Sequence, residues 1–127
     1  MRKTAILGGA SLAFLALGAI ANPASSETAP ARPSAFAQCA ACHSTERGKT
    51  LFGPSLAGVA GRRAGSLPGY AYSQALKSSG LTWNAATLDR WLASPQRTVP
   101  GTKMPFAGIA DPLRRRQIVD YLMTLKP

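Results

Sequence analysis

The sequence predicts an all-α domain in which three to four helices are joined by long loops. Three observations carry this expectation. No segment alternates apolar and polar residues over the length of a useful strand. Helix start and stop signals recur along the second half of the chain, at Gly80, Asn84, Pro95 and the pair Asp111-Pro112. Residues 44–69 hold six glycines and two prolines and show no sustained period. A structureless connection of that length is out of place in a compact domain unless it wraps around something.

Taken in order, the chain opens on an address. Arg2 and Lys3 form a basic start, residues 5–21 are an uncharged run rich in Ala and Leu, and Ala19-Ile20-Ala21 offers a small-residue cleavage site. Residues 1–21 are expected to be a cleaved signal peptide. The alternative is a retained anchor, for which the run stands near the lower limit of about 17 residues for a spanning helix. Residues 22–33, rich in Pro, Ser and Ala and without an apolar period, read as a flexible leader. Residues 34–127 form one small domain, too short to build a large core unaided. A short helix is expected from near Pro33 into Cys39, with Phe36 as its apolar contact. A second runs over about Ser73 to Ser79 and ends at Gly80. Asn84 caps a third over Ala85 to Ala93, stopped by Pro95. Asp111 as N-cap and Pro112 at the first helical position start the last. There Ile118, Tyr121, Leu122 and Leu125 follow an i, i+3, i+4, i+7 stripe.

The chemistry of the chain is concentrated in five residues. Its two cysteines and its one histidine all lie in Cys39-Ala40-Ala41-Cys42-His43. C-x-x-C-H is the attachment signature of haem c: two thiols so spaced reach the two vinyl groups of one porphyrin edge, and the imidazole next to them ligates the iron. A disulfide is one alternative, although it would close a loop too short to restrain much chain entropy. Zinc needs about four ligands, and no further Cys or His can supply them, which leaves only a carboxylate to contribute. A thioredoxin-like pair would sit in a βαβ pattern, which the chain lacks. A six-coordinate iron needs a second ligand, and the candidates are Met104, Met123, a lysine or a tyrosine. Met123 lies within a helix, where packing explains it. Met104 sits in Pro100-Gly101-Thr102-Lys103-Met104-Pro105, and prolines restrict such a loop before ligation, so His43 and Met104 are the expected metal ligands.

These residues resemble the class I cytochromes c, in the soluble bacterial branch similar to the mitochondrial proteins. The motifs that carry the resemblance are Cys39–His43, Gly53-Pro54-Ser55-Leu56, Gly61-Arg62, Gly69-Tyr70-Ala71-Tyr72, Leu81-Thr82-Trp83 and Pro100–Met104. They occur in the family's order and cover the chain from about Phe36 to Leu125. The resemblance implies the small cytochrome c fold around one covalently bound haem c. It also implies further roles. The Pro54 carbonyl would accept the Nδ1 hydrogen of His43. Arg62, Tyr72 and Trp83 would surround the haem propionates, Thr102 would bond a propionate or nearby backbone, and Phe106 would cover the Met104 side. There are departures from the pattern as well. Arg32 replaces a glycine four residues before the aromatic Phe36, which would loosen the packing of the first helix on the last. Trp91 stands where mitochondrial relatives have a tyrosine. Gln38, Gln96, Ala110 and Asp111 replace lysines of the docking face, where Lys49, Arg97 and Lys103 now carry the charge. Arg114-Arg115-Arg116 reads as a solvated face at a helix N-terminus, an end that disfavours cations.

The whole chain carries a formal charge of +10, which falls to +8 without Arg2 and Lys3. Such a charge outside the cytoplasm suits acidic docking surfaces of redox proteins or transient contact with a membrane surface. No nucleic-acid motif is present. The expected function is that of a monomeric periplasmic one-electron carrier, not an enzyme, serving respiratory or photosynthetic partners. The resemblance implies partners such as a quinol–cytochrome c reductase, a terminal oxidase or a dehydrogenase. Two alternatives are a haem subunit or electron acceptor of a periplasmic dehydrogenase, and a peroxidase-like or sensor protein with a labile Met104.

Overall fold

The computed structural model describes residues 30–127. The expected signal peptide at 1–21, and all but the last four residues of the leader at 22–33, lie outside the described residues. A 3-10 turn, Ser34–Phe36, runs directly into α1, Ala37–Ala40. After a long irregular stretch come α2, Gln74–Ser78, α3, Ala85–Ala93, α4, Pro95–Thr98, and α5, Pro112–Thr124. Among the described residues the nearest approach to a sheet is one antiparallel bridge between Arg63 and Thr82.

The helix starts follow from local chemistry. Ser73 accepts from Leu76 N–H at the head of α2. Asn84 and Thr87 form a reciprocal capping box on α3, with Thr87 N–H to Asn84 Oδ1 at 2.9 Å and Asn84 N–H to Thr87 Oγ1 at 2.8 Å. Asp111 accepts from Leu113 N–H at 2.9 Å, and Pro112 takes the first position of α5. Pro95 does more than end α3. Ser94 is extended, and Pro95 opens the separate turn α4. Its missing N–H would break the interior of a helix but costs nothing in a first turn. Among the described residues there are thus five α segments, where three to four helices were expected.

The core lies where α3 and the 3-10 turn pack on α5. Phe36 and Ile118 have no exposed surface, and Leu88, Leu92, Val119 and Leu122 are buried with them. Tyr121 meets Phe36 edge-on, with ring centroids 5.0 Å apart. Arg32 does not open this contact: its guanidinium lies over the Phe36 ring, 5.1 Å from the centroid, and the ring stays fully covered. The irregular stretch is held by backbone pairing. Gly61 N–H donates to Trp83 O at 2.7 Å, Trp83 N–H to Arg62 O at 2.9 Å and Ala64 N–H to Leu81 O at 2.8 Å. Gly58 N–H reaches Leu125 O at 3.2 Å, which ties the loop to the end of the chain. The outcome is a loop wall facing the two long helices.

Candidate haem site

Between that wall and the helices lies a cavity of about 490 Å³, within the usual range of about 300–1,000 Å³ for ligand and cofactor sites. All nine residues singled out from the sequence line it: Cys39, Cys42, His43, Pro54, Arg62, Tyr72, Trp83, Thr102 and Met104. They come from six separate stretches of chain. Met123 does not line it and is 40% exposed.

The three residues of the C-x-x-C-H motif share one turn. Cys42 N–H and His43 N–H both donate to Cys39 O, at 3.1 and 2.9 Å, so positions i, i+3 and i+4 present their side chains on one face. Both thiols are free. Burial pushes the Cys39 thiol pKa up, opposed by the charge of Arg32. Among the described residues no three His, Cys, Asp or Glu side chains gather into a metal-binding group, so the zinc alternative has no donor set here.

His43 is held in one orientation. Its Nδ1 stands 2.8 Å from Pro54 O, and a carbonyl can only accept, so Nδ1 carries the hydrogen. Burial holds the imidazole below its ordinary pKa, with the Pro54 bond opposing. The ring is therefore neutral, with Nε2 presenting a lone pair. Gly53 makes this possible. A Cβ there would stand 2.7 Å from His43 Nδ1 and 2.9 Å from Nε2, which no side chain tolerates. Gly53 N–H in turn donates to Cys42 O at 2.8 Å, locking the loop against the motif.

Arg62 donates to Ser55 O at 2.9 Å and to Ala57 O at 3.0 Å, spending part of its donor set on the loop beside the cavity. Burial lowers its pKa, partly offset by Tyr72; burial likewise raises the Tyr72 phenol, opposed by the Arg62 charge. Trp83 is buried and packs edge-on against Trp91 at 5.3 Å, and both indoles line the cavity. Phe106 lines it beside Met104. Thr102 is buried, and its carbonyl accepts from Gln96 Nε2 at 2.8 Å.

Three features were not legible in the sequence. Phe52 borders the cavity while 88% exposed, and its carbonyl accepts from Tyr70 Oη at 2.9 Å. Lys103 is engaged rather than free: Nζ donates to Ala71 O and lies 4.9 Å from the Tyr70 ring centroid. Arg115 departs from the solvated face expected of residues 114–116. Its side chain is 14% exposed and ion-pairs with Asp89 at 2.9 Å. Each depends on a partner remote in sequence.

The donor set fits haem c: two thiols and a neutral imidazole on one turn, a soft thioether elsewhere on the wall, and an otherwise mostly apolar lining. Comparison with known proteins agrees. The cytochrome c family model matches residues 33–126. Cytochrome c2 iso-2 of Magnetospirillum molischianum is 49% identical over 94 residues, covering 74% of this chain and 97% of that protein. Cytochrome c2 of Rhodoblastus acidophilus is 50% identical over 92 residues, covering 72% and 86%. The solved structure of cytochrome cH from Methylobacterium extorquens superposes with a TM-score of 0.67 at 55% identity, covering 71% of this chain and 91% of that one. With its site geometry and its relatives in accord, the chain belongs to the class I cytochrome c family and holds one covalently bound haem c.

Proposed function

We propose that this protein is a periplasmic one-electron carrier that shuttles between redox partners, and that it is not an enzyme. The observation that carries the reading is that His43 and Met104 line the same cavity as the two cysteines. Cys39 and Cys42 would hold haem c, and His43 and Met104 would ligate its iron. Bound there, the group supplies a one-electron ferric/ferrous couple, whose reduced state a thioether ligand favours.

The remaining residues act on that couple without taking part in bond making. Pro54 O orients the imidazole and raises its donor strength. Arg62, Tyr72 and Trp83 would place a positive charge and hydrogen-bond donors beside the propionates, keeping them ionised. The apolar walls exclude water, and the packed frame limits rearrangement on electron transfer. A catalytic reading would need an acid–base group in the cavity. Among the described residues lining it there is no carboxylate and no second histidine, which favours the carrier over the peroxidase-like reading.

The mature charge of +8 (from +10 less Arg2 and Lys3) would steer it to acidic faces of partners such as a quinol–cytochrome c reductase, a terminal oxidase or a dehydrogenase. No helix among the described residues is long and apolar enough to cross a membrane, and export would rest on residues 1–21, cleaved from the leader at 22–33 and the domain at 34–127. The test is to add the reduced holoprotein to membranes of its source and follow its oxidation with inhibitors of each terminal oxidase. Inhibitor-sensitive oxidation is expected. Failure to exchange electrons with any membrane or soluble fraction, together with fast peroxide turnover, would replace the carrier by a catalyst.

A further inference from the structure

The loop that carries Met104 is anchored at its exit by a side chain of α5. Ile109, five residues beyond Met104, donates its N–H to Leu92 O at the end of α3, at 2.8 Å. The carbonyls of Ile109 and Ala110 both accept from Arg115 Nη1 at 2.9 Å. Arg115 Nε donates to Asp89 Oδ1, also at 2.9 Å, so the guanidinium bridges α3, α5 and the loop. The preceding residue, Gly108 at φ +110°, lies so close to α3 that a Cβ would stand 2.8 Å from the carbonyl carbon of Ala93. Nothing in α5 itself calls for an arginine here. A cation in a first turn opposes the helix macrodipole. The three acceptors account for it, since a planar guanidinium spreads its donors over a fixed fork, whereas an ammonium offers its three from a single nitrogen.

A neutral thioether is a weak ligand, and its occupancy of a metal depends on how seldom its loop opens. We propose that Arg115, oriented by Asp89, is a positioning residue that fixes the exit of the Met104 loop and so keeps exogenous ligands from the sixth position of the iron. The inference rests on the reading that Met104 is an axial ligand. An incoming ligand binds only the open fraction of molecules, so its apparent affinity rises in proportion to that fraction.

The test uses the ferric holoprotein. Imidazole affinity and the sulfur-to-iron charge-transfer band are measured for wild type, Arg115→Lys and Asp89→Asn, with guanidinium unfolding followed in parallel. Arg115→Lys is expected to bind imidazole about tenfold more tightly, equivalent to about 1.4 kcal/mol of loop opening. Asp89→Asn, which leaves the arginine in place, should bind it about two- to threefold more tightly. In both variants the band should fade at a lower temperature than global unfolding. A lowered unfolding midpoint with unchanged imidazole affinity would make the pair purely structural and overturn the proposal. Should Arg115→Lys not fold, Asp89→Asn decides alone, because Asp89 is half-exposed and its change is isosteric. A wild-type band that is absent, or that survives Met104→Ala, instead overturns the ligation reading and this inference with it.

Discussion

Replacing Gly53 by Ala should be among the costliest single-methyl additions this chain can suffer. The new Cβ would stand 2.7 Å from His43 Nδ1, whereas nonbonded carbon contacts settle near about 3.5 Å. Ring and loop must therefore separate by roughly 0.8 Å. The Pro54 carbonyl belongs to the next residue and moves with the loop, so the 2.8 Å bond to Nδ1 stretches to about 3.6 Å, beyond a hydrogen bond. Leaving a buried N–H unpaired costs about 1–3 kcal/mol, and overpacking a filled site costs about 1–3 kcal/mol more. The sum, about 2–6 kcal/mol, is a large part of the stability of a small domain. For a domain near 100 residues it lowers Tm by at least about 8 °C. The assay is reversible guanidinium and thermal unfolding of the oxidised holoprotein, followed at the Soret band and by far-UV circular dichroism. A Gly53→Ala protein within about 0.5 kcal/mol of wild type would refute the reasoning. It would mean that the loop yields without cost and that the glycine is not what seats the imidazole.

Acid–acetone extraction should leave haem on the polypeptide, and free haem in the supernatant would sink the two-thioether attachment at Cys39 and Cys42. Met104→Ala should abolish the sulfur-to-iron charge-transfer band, lower the potential and create peroxide turnover, while Met123→Ala, at an exposed helical position, should leave the band intact; the reverse pattern would exchange their roles. Electron transfer to a physiological partner should slow as salt rises, because charge steering is screened over about 10 Å at 0.1 M. Neutralising Lys103 and Arg97, which flank the methionine loop, should cut the second-order rate more than neutralising Arg114 and Arg116. Equal losses would assign steering to global charge, and a larger loss from the arginines would put the docking face on α5. Arg115 stays out of that comparison, since its side chain is a largely buried tie, whereas Lys103, although bonded to Ala71 O, lies in an exposed contact.

What the sequence determined by itself was the chemistry and the local starts of structure. Cys39, Cys42 and His43 declare a haem because their five-residue spacing is the geometry of attachment, and no fold is needed to see it. Asn84, Asp111 and Pro112 mark helix starts because a cap bonds its own neighbours within a few residues. The absence of strands among the described residues and the 44–69 loop were legible for the same reason: period and composition are local properties. Even the additional turn α4 was half visible, since Pro95 punctuates the chain, although whether it ends one helix or begins another depends on how Ser94 turns.

Only the tertiary structure decided which side chains meet. Lys103 and Ala71 are 32 positions apart, Arg115 and Asp89 are 26, and Tyr70 and Phe52 are 18. No periodicity encodes such pairs, because they form when loops fold over a common cavity and leave polar groups that must find partners there. Arg32 shows the same limit from the other side. Its place in the sequence argued for looser packing against α5, yet a long side chain can lay its guanidinium over a ring instead of separating it from its neighbour. Residue identity set what each group could do, and burial, shared space and acceptor geometry set which of those things it does.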